Sequence, residues 1–144
     1  MDKNPRISKK IAKADSTINE IENLLKFGYY TTAVNRIFYA CFYSVQALLL
    51  SINLEPRSHK GVRILFSFHF VKQGKIPGDL EDFYTRIFDE WSFTDYSDED
   101  EMDKEKLEFI LLEAKKFIAH NKELLGEENK YRYQCKYTTT TIYS

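Results

Sequence analysis

The sequence contains few of the residues that interrupt or cross-link a fold. Its 144 residues include five glycines, three prolines and two cysteines. So few helix-breaking residues leave long stretches that can form uninterrupted helices. The cysteines, Cys41 and Cys135, are too few for a disulfide framework, which indicates a reduced, cytoplasmic protein. We find neither a signal peptide nor an apolar run near the roughly 18 residues that cross a bilayer, so we expect no membrane span.

The chain also lacks an excess of charge of either sign. Its 21 basic and 22 acidic residues give a formal net charge of -1. This balance argues against a protein that binds nucleic acid through its overall charge, although local basic patches can still do so. Nothing resembles a P-loop, a dinucleotide-binding glycine pattern, a zinc-ligand set or a Ser-His-Asp triad, so we expect no cofactor and no metal.

Six acidic residues fall within residues 95–103. Several carboxylates close together are what a hard cation requires. The spacing, however, lacks the glycine and the terminal glutamate of an EF-hand loop. An exposed loop that leads into a helix N-terminus explains the acids better, because the helix dipole favours negative charge there.

Residues 29–52 contain neither glycine nor proline and predict one long helix. Its apolar residues fill nearly half of the circumference, which is typical of a core face. A second, narrower arc carries polar-tipped side chains. These are Asn35, Arg36, Tyr39, Tyr43 and Gln46. Because the helix has one basic residue and no acid, we expect it to lie at the centre of the fold, with its second arc against another subunit or lining a site.

Four further segments show helical periodicity. Residues 5–27 place apolar residues at alternating spacings of four and three, as in a helix packed along a neighbour. Apolar stripes also run through residues 62–71, 80–91 and 102–125. We therefore predict an all-α, five-helix up-and-down bundle over residues 1–126. Basic residues near the start of the first helix form either a solvated face or a phosphate contact. They are Lys3, Arg6, Lys9, Lys10 and Lys13.

Residues 127–144 break this helical pattern. From Lys130 to Tyr137, tyrosines and Cys135 alternate with charged or polar residues, and a run of threonines follows. Strict alternation of this kind is typical of a β-strand. Since a lone strand has no ladder partner in a helical chain, we expect the tail either to be disordered or to pair with a second subunit or another protein.

The start of the third helix is the first candidate binding site. His59, Lys60 and Arg63 lie around backbone N–H groups of its first turn, and Ser58 can cap the helix. Cationic side chains and free N–H groups together favour a phosphate or nucleotide contact. The alternative is a capped, solvated loop.

The second candidate is the polar arc of the central helix, with Asn35, Arg36 and Tyr39. Arg36 there either binds a ligand or pairs with an acid from another helix, such as Asp95. The third candidate is Asp95-Tyr96, a carboxylate beside a phenol at the exit of the fourth helix. From its residues alone, the sequence indicates a cytoplasmic, self-associating helical bundle and little more about function.

The order of these segments resembles the HEPN superfamily, specifically small stand-alone prokaryotic proteins often encoded beside a minimal nucleotidyltransferase. The resemblance covers about residues 14–120 and depends on Gly28-x-Tyr30-x-x-Ala33-Val34-Asn35-Arg36-x-Phe38-Tyr39-Ala40, Ser58-His59-x-Gly61, Phe70-Val71-Lys72-x-Gly74-x-Ile76-Pro77 and Asp95-Tyr96. It implies a four- or five-helix bundle that dimerises and works at the cleft between subunits. Active members are metal-independent ribonucleases of toxin or defence systems, and in some of these systems the nucleotidyltransferase modifies a tyrosine and silences the toxin.

Active members of this family carry an arginine followed about four to six residues later by a histidine, near the end of the fourth helix. One group assists the ribose 2′-hydroxyl as nucleophile, and a cation stabilises the pentavalent phosphate. This sequence departs from that pattern: residues 89–95 contain neither residue, and Trp91 stands where the arginine is expected. Arg63 and His69 have the required spacing on the third helix, but about 120° of helical rotation separates their side chains.

Three functional hypotheses follow. The leading one is a catalytically degenerate HEPN homodimer that binds RNA, a nucleotide or a partner nucleotidyltransferase through Arg36, His59 and Tyr96. Its rival is an active ribonuclease toxin in which Arg36 and His59 act together across the dimer. The third is a structural interaction module whose tail pairs with a partner.

Overall fold

The structure is a computed structural model that describes residues 5–93 and 103–138, with side chains for residues 5–89 and 103–126. Within these ranges the chain forms five α-helices and no strand. The helices are α1 (Pro5–Lys26), α2 (Tyr30–Ser51), α3 (His59–Phe66), α4 (Gly78–Phe93) and α5 (Lys104–Thr138), and α3 continues as a π-helical segment over Ser67–Val71. The predicted all-α, five-helix bundle is confirmed.

The turn between α1 and α2 depends on Gly28. This residue has φ +82°, a left-handed conformation that glycine adopts without the clash of a Cβ atom. The N–H groups of Gly28 and Tyr29 donate to the carbonyls of Leu25 and Leu24, at 3.2 and 2.9 Å, and so satisfy the end of α1. The turn sends α2 back along the apolar seam of α1, whose members Ala14, Ile21 and Leu25 are buried.

The central helix α2 forms the core of the bundle, as its apolar arc predicts. The ring of Phe38 stacks on that of Tyr84 of α4, with centroids 6.1 Å apart, and Tyr84 in turn stacks on Phe117 of α5 at 5.4 Å. On its other side, Ser44 accepts a 3.0 Å hydrogen bond from the side-chain amide of Asn121 in α5. These contacts place α2 between α1, α4 and α5.

The burial of α2 also explains its apolar composition. By length and composition alone, Tyr30–Ser51 is long and apolar enough to cross a membrane, although the sequence analysis recognised no apolar run of that length. In the structure 72% of this window is buried inside the protein. A helix that is apolar over most of its circumference is buried either in a bilayer or in a core, and here the bundle supplies the core.

Local sequence signals position α3 and α4 as predicted. Ser58 accepts a 2.9 Å hydrogen bond from the N–H of Gly61, so it caps the N-terminus of α3. After the π-helical segment, Gly74 has φ +80° and ends the helical run. The carbonyl of Pro77 then accepts from the N–H of Leu80 at 3.1 Å and opens α4.

The C-terminal segment corrects the prediction of a strand or a disordered tail. The backbone of residues 127–138 continues α5 as a helix. A helix satisfies each backbone N–H within its own segment, whereas an alternating strand needs a neighbouring ladder, which the described residues do not provide. No proline interrupts the segment, and Gly126 alone does not stop it. Residues 139–144 lie outside the described residues.

Candidate functional site

The best-defined polar contact between predicted site residues joins α2 to the start of α3. The hydroxyl of Tyr39 lies 3.3 Å from Nε2 of His59, within hydrogen-bonding distance. Tyr39 reaches this position from the polar arc of α2. His59 reaches it because the Ser58 cap fixes the first turn of α3. The contact therefore joins the first and second candidate sites.

Aromatic rings surround the imidazole of His59. Its centroid lies 4.6 Å from that of Phe42 and 5.8 Å from that of Phe38. Partial burial among these rings lowers the pKa of His59 below its usual value, because an apolar setting disfavours the charged form. The imidazole is therefore neutral at pH 7 and can accept a proton or a hydrogen bond there.

Arg63 lies one helical turn after His59 on α3. Its guanidinium carbon is 5.1 Å from the ring centroid of Phe88 in α4, which makes a cation–π contact. The Nε atom of Arg63 is buried, and in the part of the chain that the structure describes it has no hydrogen-bond acceptor. Within the described residues no carboxylate pairs with this half-buried cation. Together, Tyr39, His59 and Arg63 form a cluster of polar groups that packs against phenylalanine rings.

Arg36, by contrast, lies against α1. Its Nε atom is 3.6 Å from a carboxylate oxygen of Glu20, and a terminal nitrogen lies 3.5 Å from the hydroxyl of Thr17. Among the described residues, the acid from another helix that lies beside Arg36 is Glu20. Asp95, the candidate named from the sequence, lies outside the described residues, and so does Tyr96.

The remaining sequence candidates occupy three different positions. Asn35 is half-buried on α2, one turn before Tyr39, while Lys60 is exposed on α3. His69 lies in the π-helical segment, with its ring 4.9 Å from that of Phe68. Since Arg63 packs on Phe88 instead, the two members of the Arg63–His69 pair have different neighbours.

Lys10 and Lys13 of α1 lie on the same surface as the polar arc of α2, a position that the sequence did not establish. The Nζ atoms of Lys10 and Lys13 lie 5.6 and 4.9 Å from the ring centroid of Tyr43. The periodicity contained a partial signal, because residues three apart share a helix face. Their contact with Tyr43 depends on how α1 and α2 pack, which the spacing alone does not fix.

Two other kinds of chemistry find little support in the described part of the chain. Among those residues no group of three or more His, Cys, Asp and Glu side chains is placed to hold a metal ion. The thiol of Cys41 is buried, and burial raises its pKa far above the usual value, which leaves it protonated and a poor nucleophile.

A comparison with protein families identifies this arrangement of helices. The family model of the HEPN domain matches residues 7–125, which begin in the first turn of α1 and end within α5. The chain belongs to the HEPN family. The match covers more than four fifths of the sequence and confirms the family that its motifs resemble.

Curated proteins of similar length are related to the chain over most of their sequences. "Putative toxin MJ0142" of Methanocaldococcus jannaschii is 32% identical over 123 residues, 85% of this chain and 84% of that protein. A "UPF0332 protein" of Thermotoga maritima is 35% identical over 115 residues, 80% of this chain and 87% of that protein. "Putative toxin MJ0605" of M. jannaschii is 35% identical over 119 residues, 79% of this chain and 84% of that protein.

Proposed function

We propose that this HEPN protein is a cytoplasmic component of a toxin–antitoxin type system that binds RNA as a homodimer without cleaving it in the family's usual way. The names of the two archaeal relatives support the system. The family resemblance alone suggests a nucleotidyltransferase as the protein partner. RNA binding is assigned to the cluster of Tyr39, His59 and Arg63.

One observation carries this assignment: the half-buried guanidinium of Arg63 has a buried Nε that finds no acceptor among the described residues, one turn from the Tyr39–His59 contact. A partly desolvated cation without an anion is unfavourable, so a bound anion would stabilise it. A guanidinium matches a phosphate group through paired N–H donors. Arg36 is less suited to this role, because Glu20 already lies beside it.

The absence of the usual catalytic pair supports binding without cleavage. Residues 89–95 contain no arginine and no histidine, and Trp91 occupies the position where the family pattern has its arginine. Without a cation and a proton-transfer group at that position, the usual reaction loses both of the groups that stabilise its transition state.

The second candidate is an active ribonuclease that uses His59 as its base. The observation that favours it is the lowered pKa of His59, which keeps the imidazole neutral and able to take the proton of a ribose 2′-hydroxyl. In that case Arg63, rather than Arg36, is the nearby cation within one protomer.

RNA binding by the full chain tests the proposal, with a matched arginine as control. Arg63→Gln should weaken the binding of single-stranded RNA at least tenfold, which corresponds to the roughly 1.5–3 kcal/mol of a charged hydrogen bond. Arg86→Gln is the control, because Arg86 also lies over a phenylalanine, at 5.7 Å from Phe83, but has Glu113 as a partner. Equal affinities for both variants would reject the site.

RNA cleavage in the same samples separates the two candidates. If the wild-type protein leaves total RNA intact, the binding function is supported. If the wild-type protein cleaves RNA and His59→Ala abolishes the cleavage, the ribonuclease function replaces the binding function. Sedimentation of the free protein tests the homodimer, which a monomer mass at micromolar concentration would contradict.

A further inference from the structure

Two lysines on α1 extend the positive charge beyond the Tyr39–His59–Arg63 cluster. The ring of Tyr43 holds the Nζ atoms of Lys10 and Lys13 at 5.6 and 4.9 Å. Burial, and then the positive charge of Lys13, lower the pKa of Lys10. The carboxylate of Glu55, which forms an ion pair with Arg6, opposes this effect by raising the pKa of Lys10.

Ring contacts connect these lysines to Tyr39 and His59 of the cluster. The ring of Tyr43 lies 6.0 Å from that of Tyr39, which lies 5.7 Å from the imidazole of His59. Arg63 follows one turn later on α3. We call this surface the cation–aromatic band, and it crosses three helices. Its members are Lys10, Lys13, Tyr43, Tyr39, His59 and Arg63. All are half-buried except Lys13, which is exposed.

The composition of the band matches one class of ligand. Proteins that bind single-stranded nucleic acid combine a track of positive charge for the backbone with aromatic side chains for the bases. No member of the band is acidic, although the chain as a whole has slightly more acids than bases. A rigid duplex would use the cations but would leave the rings between them without bases to contact.

We propose that single-stranded RNA lies along the cation–aromatic band, with phosphates at Lys10 and Lys13 at one end and at Arg63 at the other, and bases against the rings between them. This inference rests on the proposed RNA-binding function and extends it from α2 and α3 to α1.

A pair of double variants tests the contribution of α1. The probe is a labelled single strand of mixed-sequence RNA about 12 nucleotides long, within the usual range of site sizes. Lys10→Gln with Lys13→Gln should weaken its binding to the full chain about tenfold or more. The matched control is Lys72→Gln with Lys75→Gln, which removes the same charge from two lysines that also lie over aromatic rings, at 6.0 Å from Phe68 and 5.7 Å from Phe70. The control should change the affinity less than about twofold.

The ring of Tyr43 has its own test. Tyr43→Leu should weaken binding roughly 5- to 100-fold, the range found when a base loses an aromatic partner, whereas Tyr43→Phe should bind like the wild type. Thermal unfolding of both variants shows whether the fold is kept. If Tyr43→Leu fails to fold, the comparison of the two lysine double variants decides alone.

The outcomes distinguish this inference from the proposed function. If the wild type binds RNA but both double variants bind equally well, or lose affinity equally, the band is rejected while RNA binding stands. The band is also rejected if the protein binds the annealed duplex as tightly as the single strand. If an acidic peptide competes as well as unlabelled RNA does, the band is rejected in favour of a protein partner. If the wild type binds no RNA, the proposed function itself fails.

Discussion

His59 couples the stability of the fold to pH. Its pKa is lowered by burial among apolar rings, so the folded state binds a proton less readily than the unfolded chain. A histidine of this kind stabilises the fold above its ordinary pKa. That stabilisation is lost as the pH falls through the unfolded value near 6.5 towards the lower folded value.

We therefore expect acid to destabilise the wild type more than a variant without this imidazole. Between pH 7.5 and pH 5, the free energy of unfolding measured with denaturant should fall more steeply for the wild type than for His59→Gln. Tyr39→Phe is the control, because burial and not the phenol lowers the pKa, and this variant should keep the wild-type slope. Parallel curves for the wild type and His59→Gln would contradict the assignment.

At the scale of the helix, replacing two glycines by alanine should change the free energy of unfolding in opposite directions. Gly28, with φ +82°, ends α1, and a Cβ there is strained although no atom lies within 4 Å of it. We expect Gly28→Ala to lower the free energy of unfolding by about 1–2 kcal/mol. Gly126 lies inside α5 with open space around it, so Gly126→Ala should raise it by about 0.5–1 kcal/mol. Thermal and denaturant unfolding of the two variants measure this difference, and equal signs would refute it.

The helices also show which part of the fold the sequence could predict. Segments with a long apolar stripe and local signals, such as the Ser58 cap and Gly28, were located correctly. The helical structure of the segment from Lys130 to Tyr137 was not predicted. Its period-2 alternation of tyrosines and charges carries no information about whether a ladder partner exists. In the structure the backbone of this segment continues α5, which ends at Thr138.

For the molecule as a whole, the five-helix bundle followed from the apolar periodicity and the family from the order of motifs, whereas the candidate site followed only in part. Tyr39 and His59 were both candidates, but their contact depends on how α2 packs against α3. For Arg36 the sequence left open a ligand contact or an ion pair with an acid from another helix, and the packing of α1 places Glu20 beside it. The contact of Lys10 and Lys13 with Tyr43 likewise depends on the packing of α1 against α2.

Because the net charge of the molecule is close to zero, the salt dependence of RNA binding should report the number of local phosphate contacts. With a formal charge of -1, the protein gains no attraction to RNA from its overall charge. The band offers three cations, and each phosphate neutralised on a single strand contributes about -0.7 to the slope of log affinity against log salt concentration. We expect a slope near -2 for the wild type and near -0.7 for the variant that lacks the charges of Lys10 and Lys13. Titrations at several salt concentrations measure both slopes. A wild-type slope much steeper than this would mean that phosphates also bind outside the band, and an unchanged slope in the variant would remove α1 from the contact.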